Sequence, residues 1–132
     1  MPTQDEIGEL LAFLPIFTAP DYQPVREWHG GKAEDGVIQM AWPDYDEAVN
    51  RFSDAVHKDC WLDGDYVSAD VPGMLHEESR IERATLDEIR TLLTFCVRGD
   101  RFCEGHLGDM IEAGHVTRIL RRLAEIVGEQ TT

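Results

Sequence analysis

The amino-acid sequence predicts a helix-dominated α+β domain, with about five helices packed with a small two-stranded antiparallel β-hairpin. Apolar side chains recur at intervals of three and four residues in the first, second and last thirds of the chain, which is the period of a helix with one buried face. Residues 37–42 alternate instead, as a strand does. At 132 residues the chain is long enough to bury one core, so we predict a single domain spanning residues 1–132.

Two helices begin with the capping-box spacing, in which a Thr is followed three residues later by a Glu. Thr3 and Glu6 open the first helix, which we expect to run to about Pro15. Thr85 and Glu88 open another, which we expect to close in a left-handed turn at the glycine that follows residue 98. The apolar stripe of the first helix is Ile7, Leu10, Leu11 and Leu14, and that of the other is Leu86, Ile89, Leu92, Leu93, Cys96 and Val97.

The middle of the chain predicts the hairpin and a further helix. Residues 37–42 alternate and can pair with residues 25–29 across the turn-rich segment GGKAEDG. A helix is indicated after Asp44 and ends near Cys60. We expect a loop with one short helix at residues 62–80, where glycines and a proline interrupt any pattern. The apolar stripe of the middle helix is Tyr45, Ala48, Val49, Phe52, Ala55 and Val56.

Two more helices are predicted in the last third. The first begins near His106, because Gly105 and Gly108 would each destabilise a longer helix by about 1 kcal/mol relative to Ala, unless another backbone segment packs closely there. In the last helix Glu125 lies four residues after Arg121 and can pair with it. The apolar face of that helix is Val116, Ile119, Leu120, Leu123 and Val127, and its outward face carries Arg118, Arg121 and Arg122.

The composition favours an intracellular protein with an acidic surface. Lys and Arg number 12 against 26 Asp and Glu, a net charge of −14, which repels phosphate backbones and anionic membranes and attracts basic partners. The N-terminus lacks a secretory signal, and Cys60, Cys96 and Cys103 indicate free thiols in a reducing cytoplasm. We therefore expect a cytoplasmic protein, and our leading hypothesis is a non-enzymatic interaction or regulatory module that acts through an acidic surface.

Two segments near the C-terminus resemble a known family. They are LLTFCVRGDRFCEGH at residues 92–106 and MIEAGHVTRILRRL at residues 110–123, and LLAFLPIF, DGVIQM and WPDY extend the similarity over most of the chain. The family comprises small bacterial proteins, often from actinobacteria and mobile elements, that are grouped as a domain of unknown function. The resemblance is strongest over residues 80–123. It implies a fold and a bacterial origin, but no activity and no catalytic residue.

An alternative function is a small metal- or thiol-dependent enzyme that uses Cys103 and His106. His57 and Cys60 are three residues apart, as are Cys103 and His106, and a zinc ion accepts two thiolates and two imidazoles in a tetrahedron. Against this, each cysteine extends an apolar stripe, where it behaves as a small hydrophobe. Nucleotide, hydrolase and zinc-protease signatures do not occur in the sequence, so we predict no cofactor and no catalytic residue.

A candidate ligand- or partner-binding site is the polar cluster of Arg98, Arg101, Glu104 and His106, which gathers around Gly99. The competing explanation is that these residues cap and pack the turn, since a cation in the last turn of a helix interacts favourably with the helix dipole. This explanation needs no ligand.

A second alternative is a DNA-binding helix-turn-helix at residues 106–124, with Gly114 at the turn and three arginines on the following helix. Any helix pair joined by a glycine turn has this spacing, and the net charge opposes binding to nucleic acid. A homodimer formed through exposed Trp28 or Trp61 is also compatible with the sequence.

Overall fold

The predicted α+β class is confirmed by the structure, a computed structural model in which helices dominate and two small antiparallel sheets accompany them. It describes residues 2–29, 33–34, 37–38, 42–62, 71–99 and 105–131. Five helices in these ranges have seven or more residues. In chain order the elements are α1 (Gln4–Leu11), α2 (Leu14–Phe17), β1 (Val25–His29), β2 (Ala33–Glu34), β3 (Val37–Ile38), β4 (Trp42–Tyr45), α3 (Glu47–Val56), α4 (Val71–His76), α5 (Glu78–Glu82), α6 (Leu86–Arg98), α7 (His106–Glu112) and α8 (His115–Thr131).

The N-terminal helix is divided in two, so the prediction of one helix running to Pro15 is wrong. Its capping box is present as predicted: the Glu6 N–H donates to Thr3 Oγ1 at 3.2 Å, and the Thr3 N–H donates to Glu6 Oε1 at 2.8 Å. α1 ends at Leu11, and the chain turns at residues 12–13 before α2 begins. Pro15 lies in the first turn of α2, where its missing N–H breaks no helical hydrogen bond.

The sheet that flanks the helices pairs β1 with β4 in antiparallel register, with Val25 opposite Tyr45 and His29 opposite Trp42. The sequence predicted residues 37–42 as the partner of β1, and this register is wrong. The intervening segment forms its own short pairing of β2 with β3, so the strand that returns to β1 begins later in the chain. Tyr45 therefore belongs to a strand and not to the middle helix.

Asp46 connects this sheet to α3. Its carboxylate caps the helix by accepting from the Ala48 N–H at 3.3 Å. The same group accepts from the Tyr22 hydroxyl at 3.0 Å and from Arg26 Nε at 3.4 Å. Because one carboxylate holds a loop, a strand and a helix, α3 begins at Glu47 with a fixed orientation to β1.

α6 follows its prediction closely. The Thr85–Glu88 capping box is present, with hydrogen bonds of 3.0 and 3.2 Å. The expected left-handed closure at Gly99 is wrong, because this residue has right-handed dihedrals, φ −59° and ψ −26°. Among the glycines that the structure describes, the left-handed ones are Gly105 and Gly114, both with φ +86°.

The core lies between α6, α8 and the helices around them, and it confirms most of the predicted stripes. Trp61 is only 1% exposed, so the prediction of an exposed Trp61 that supports a dimer is wrong. Its carbonyl accepts from Thr94 Oγ1 at 3.3 Å, which fixes the segment after α3 onto α6. On α8, Ile126 is buried and Val127 only partly so. Among the described residues no helix is both long and apolar enough to cross a bilayer.

Candidate functional site

The turn between α6 and α7 is where the sequence placed a polar cluster, and the structure describes half of it. Arg98 is the last residue of α6, and His106 is the first residue of α7. Arg101 and Glu104 lie outside the described residues, as does Cys103. The arrangement of the full cluster therefore stays a prediction.

His106 is packed between the two helices. Its imidazole lies edge-on to the Phe95 ring, with centroids 5.0 Å apart and planes at 82°. It also occupies the space where a side chain at residue 99 would lie, because a Cβ built on Gly99 would overlap the ring. The His106 Nε2 and Arg98 Nε atoms are buried and make no hydrogen bond within the part of the chain that is described. Glycine at position 99 is thus required by close packing and not by a left-handed backbone.

The β1–β4 sheet covers the start of α7, a contact that the sequence did not predict in detail. The Trp28 indole lies against the left-handed Gly105, where a Cβ would meet the ring, and 51% of Trp28 remains exposed. The Gly108 N–H donates to the Tyr45 hydroxyl at 3.3 Å, and a Cβ on Gly108 would lie 3.0 Å from the Tyr45 ring. The two glycines were the signal for this approach, since the sequence indicated close backbone packing there. The contacts of Trp28 and Tyr45 with these glycines agree with the explanation that the region has a packing role and needs no ligand.

The proposed metal ligands are not brought together in the described part of the chain. His57 is exposed at the end of α3, and its Nδ1–H donates to the Ser53 carbonyl at 2.6 Å. Burial and a hydrogen bond with Glu6 raise the pKa of the Cys60 thiol to about 11, so it is protonated at neutral pH. No group of three or more His, Cys, Asp or Glu side chains in the described ranges is placed to hold a metal ion. Burial alone raises the pKa of Cys96 to about 12.

A first cleft, which we call the α1/α3 cleft, opens between α1, α2 and α3 with a volume of about 340 Å³. Its floor belongs to an aromatic cluster, in which the Phe13 ring lies 5.6 Å from Phe17 and 5.5 Å from Phe52. Glu9 and Arg51 are its charged lining residues, and Lys58 Nζ donates to the Glu9 carboxylate at 2.9 Å. The residues that line this cleft are Glu9, Ala12, Phe13, Ile16, Arg51 and Ala55.

A second cleft, which we call the arginine cleft, lies between α5 and α8 with a volume of about 230 Å³. The three arginines that suggested DNA binding all line it. Arg122 Nε donates to the Ala84 carbonyl at 2.9 Å, and its Nη1 donates to Glu125 at 3.3 Å. The predicted pairing of Glu125 with Arg121 is therefore wrong: the carboxylate lies beside the residue three positions back. The lining residues are Ile81, Glu82, Arg118, Arg121, Arg122 and Glu125.

His115 contacts Arg118, one of the residues that line this second cleft. The Arg118 guanidinium donates to its Nδ1 atom. Burial lowers the pKa of His115, and the positive charges of Arg118 and His76 lower it further. The cations beside His115 therefore act on its pKa in the same direction as burial, in a chain whose net charge is −14.

Comparison with known proteins identifies a family and no individual relative. No curated protein matches the chain, and neither does any solved structure. A model described as a family of unknown function, DUF6508, matches residues 2–129, which confirms the membership that the C-terminal motifs indicated. Because the match covers nearly every residue, the chain belongs to the DUF6508 family.

Proposed function

We propose that this domain is a non-enzymatic protein-interaction module that binds a basic segment of a partner in the α1/α3 cleft. The observation that carries this proposal is the cleft itself, with apolar walls formed by Ala12, Phe13 and Ile16. An open apolar depression on a highly charged protein is the kind of surface that a partner's side chain fills.

The size of the cleft favours a single anchoring side chain over a larger ligand. Its volume of about 340 Å³ lies at the low end of small-molecule sites, which span roughly 300–1,000 Å³. Burial of one Leu, Ile, Phe or Met side chain contributes about 1.5–3 kcal/mol, so the remaining affinity must come from surrounding contacts.

The charges around the cleft favour cationic neighbours for that anchor. Asp5 and Glu9 lie on the same stripe of α1 as Ala12, at helical spacings of four and three. Glu47 lies one turn before Arg51 on α3. Lys58 and Arg51 offset only part of this negative charge. Lysine or arginine beside the anchor would therefore be attracted, and the net charge of −14 would speed their approach.

A displayed peptide library provides the test. The whole protein should enrich peptides in which one apolar side chain is flanked by lysine or arginine, and binding should weaken as salt rises. Ala12 is exposed at the end of α1, so Ala12→Trp fills the cleft without changing the core. We expect this variant to bind the enriched peptides at least about tenfold more weakly, because the anchor loses its place.

Ala113→Trp is the matched control, since Ala113 is also exposed and also follows the last residue of a helix, α7. It should bind the same peptides as the unmodified protein does. The proposal fails if the library yields no basic, apolar-anchored peptides. It fails equally if Ala12→Trp and Ala113→Trp bind the peptides alike.

A further inference from the structure

The arginine cleft has a composition that the acidic character of the chain does not explain. Three of its six lining residues are arginines, against two glutamates, so the cleft is locally positive. Arg118, Arg121 and Arg122 lie at spacings of three and four on α8 and therefore share one stripe of that helix. The cleft therefore concentrates positive charge on one side of α8.

Polar contacts fix one wall of the cleft before any ligand arrives. The Arg122 side chain is only 15% exposed, and its hydrogen bond to the Ala84 carbonyl holds the guanidinium beside the end of α5. The Arg118 guanidinium contacts His115 within its own helix. Two of the three guanidinium groups are thus oriented by the fold, which lowers the entropic cost of binding an anion.

Arg121 differs from its two neighbours. It is exposed, and it forms no ion pair with any described residue. Glu82, on the α5 side of the cleft, is exposed as well. An anion that enters the cleft would therefore meet one exposed guanidinium and two oriented ones, opposed by the Glu82 carboxylate.

From this geometry we infer that the arginine cleft is a binding site for the phosphate group of a small molecule. Guanidinium groups present planar, paired donors that match phosphate oxygens, and they remain charged at any physiological pH. The volume of about 230 Å³ admits a phosphate with a small attached group but not a folded partner. The long-range field of a chain of net charge −14 repels anions, so binding here depends on these local donors.

The test adds inorganic phosphate or pyrophosphate to the whole protein at constant ionic strength. Binding is measured from the changes in the NMR signals of the arginine side chains. Saturable shifts are expected at Arg118, Arg121 and Arg122. Arg121→Gln should weaken pyrophosphate binding by about tenfold, as expected for the loss of a charged hydrogen-bond donor. Because Arg121 is exposed, this variant should fold normally.

Arg83→Gln is the matched control, because it makes the same change in net charge just after the end of α5, at an exposed residue that does not line the cleft. It should leave pyrophosphate binding within about twofold of the unmodified protein. Glu82→Gln should tighten binding by up to about fivefold, because an opposing carboxylate is removed, and misfolding cannot produce that gain. Equal effects of Arg121→Gln and Arg83→Gln, or shifts that chloride reproduces at the same ionic strength, would overturn the inference.

Discussion

The α1/α3 cleft and the arginine cleft differ in what forms their floors. Phe13, in the first, is also a member of the aromatic cluster with Phe17 and Phe52, so part of its binding surface also belongs to the core. The second also touches the core, at Ile81, but long charged side chains of α8 that lie outside the buried stripe of that helix form most of its wall. Substitution of Phe13 in the first cleft should therefore change stability and binding together, whereas substitution of exposed Arg121 in the second should change binding alone.

The charges of the two clefts also have different partners. At the α1/α3 cleft Glu9 is paired with Lys58, so the edge is an exposed ion pair of the kind that contributes little to stability. In the arginine cleft, Arg122 donates to a backbone carbonyl that would otherwise lose its partner. Removal of the partner of a polar group lowers the free energy of unfolding by more than an exposed ion pair contributes to it. In the arginine cleft, Arg122 thus has a structural role.

The largest effect on the free energy of unfolding should follow substitution of Phe13, which the α1/α3 cleft shares with the core. Phe13→Ala removes a ring that is 7% exposed and packed against two others, and large-to-small changes of this kind cost about 3–5 kcal/mol. Urea denaturation of the variant measures the free energy of unfolding. A loss below about 1 kcal/mol would mean that the floor of the α1/α3 cleft is not part of the core, and the comparison of the two clefts would break down.

Substitution of Arg121 and of Arg122 should have smaller effects on the free energy of unfolding, and the two effects should differ. Arg122→Gln removes the donor to the Ala84 carbonyl and should lower the free energy of unfolding by about 1–3 kcal/mol. Arg121→Gln, at the neighbouring position of the same helix, should change the free energy of unfolding by less than about 0.5 kcal/mol because that residue is exposed. Both variants change the net charge equally, so urea denaturation compares only local contacts. Equal losses would assign Arg121 a structural role too.

Most of the helical fold could be predicted because it follows local rules. The capping boxes at Thr3 and Thr85 both form, and the stripe of α6 is buried as its spacing indicates. The sheet was predicted less well. Strand pairing is decided by contacts between distant residues, and alternation at residues 37–42 cannot reveal that Trp42–Tyr45 is the segment that returns to β1.

The candidate sites show a similar division. The glycines at 105 and 108 indicated a close backbone approach, but Trp28 and Tyr45, which make it, lie more than sixty residues earlier in the chain. The arginines of α8 were visible as an outward stripe, whereas their position opposite α5 was not. Sequence spacing places a side chain on a face of its own helix, and only tertiary packing determines what that face meets.

The smallest effect concerns His115, which contacts Arg118 of the arginine cleft. Its pKa is lowered in the folded protein by burial and by the charges of Arg118 and His76, while in the unfolded chain it titrates near 6.5. As pH falls below about 6.5, the unfolded chain binds the proton first, so His115 makes the unfolding free energy decrease. His115→Gln should remove this contribution and flatten the decline, as measured by urea denaturation at neutral and mildly acidic pH. His57→Gln, which removes an exposed imidazole outside both clefts, is the control for the loss of one histidine. If His115→Gln steepens the decline, the folded protein raises the pKa of His115, which neither burial nor the cations of the arginine cleft could do, and the contrast between the two clefts is lost.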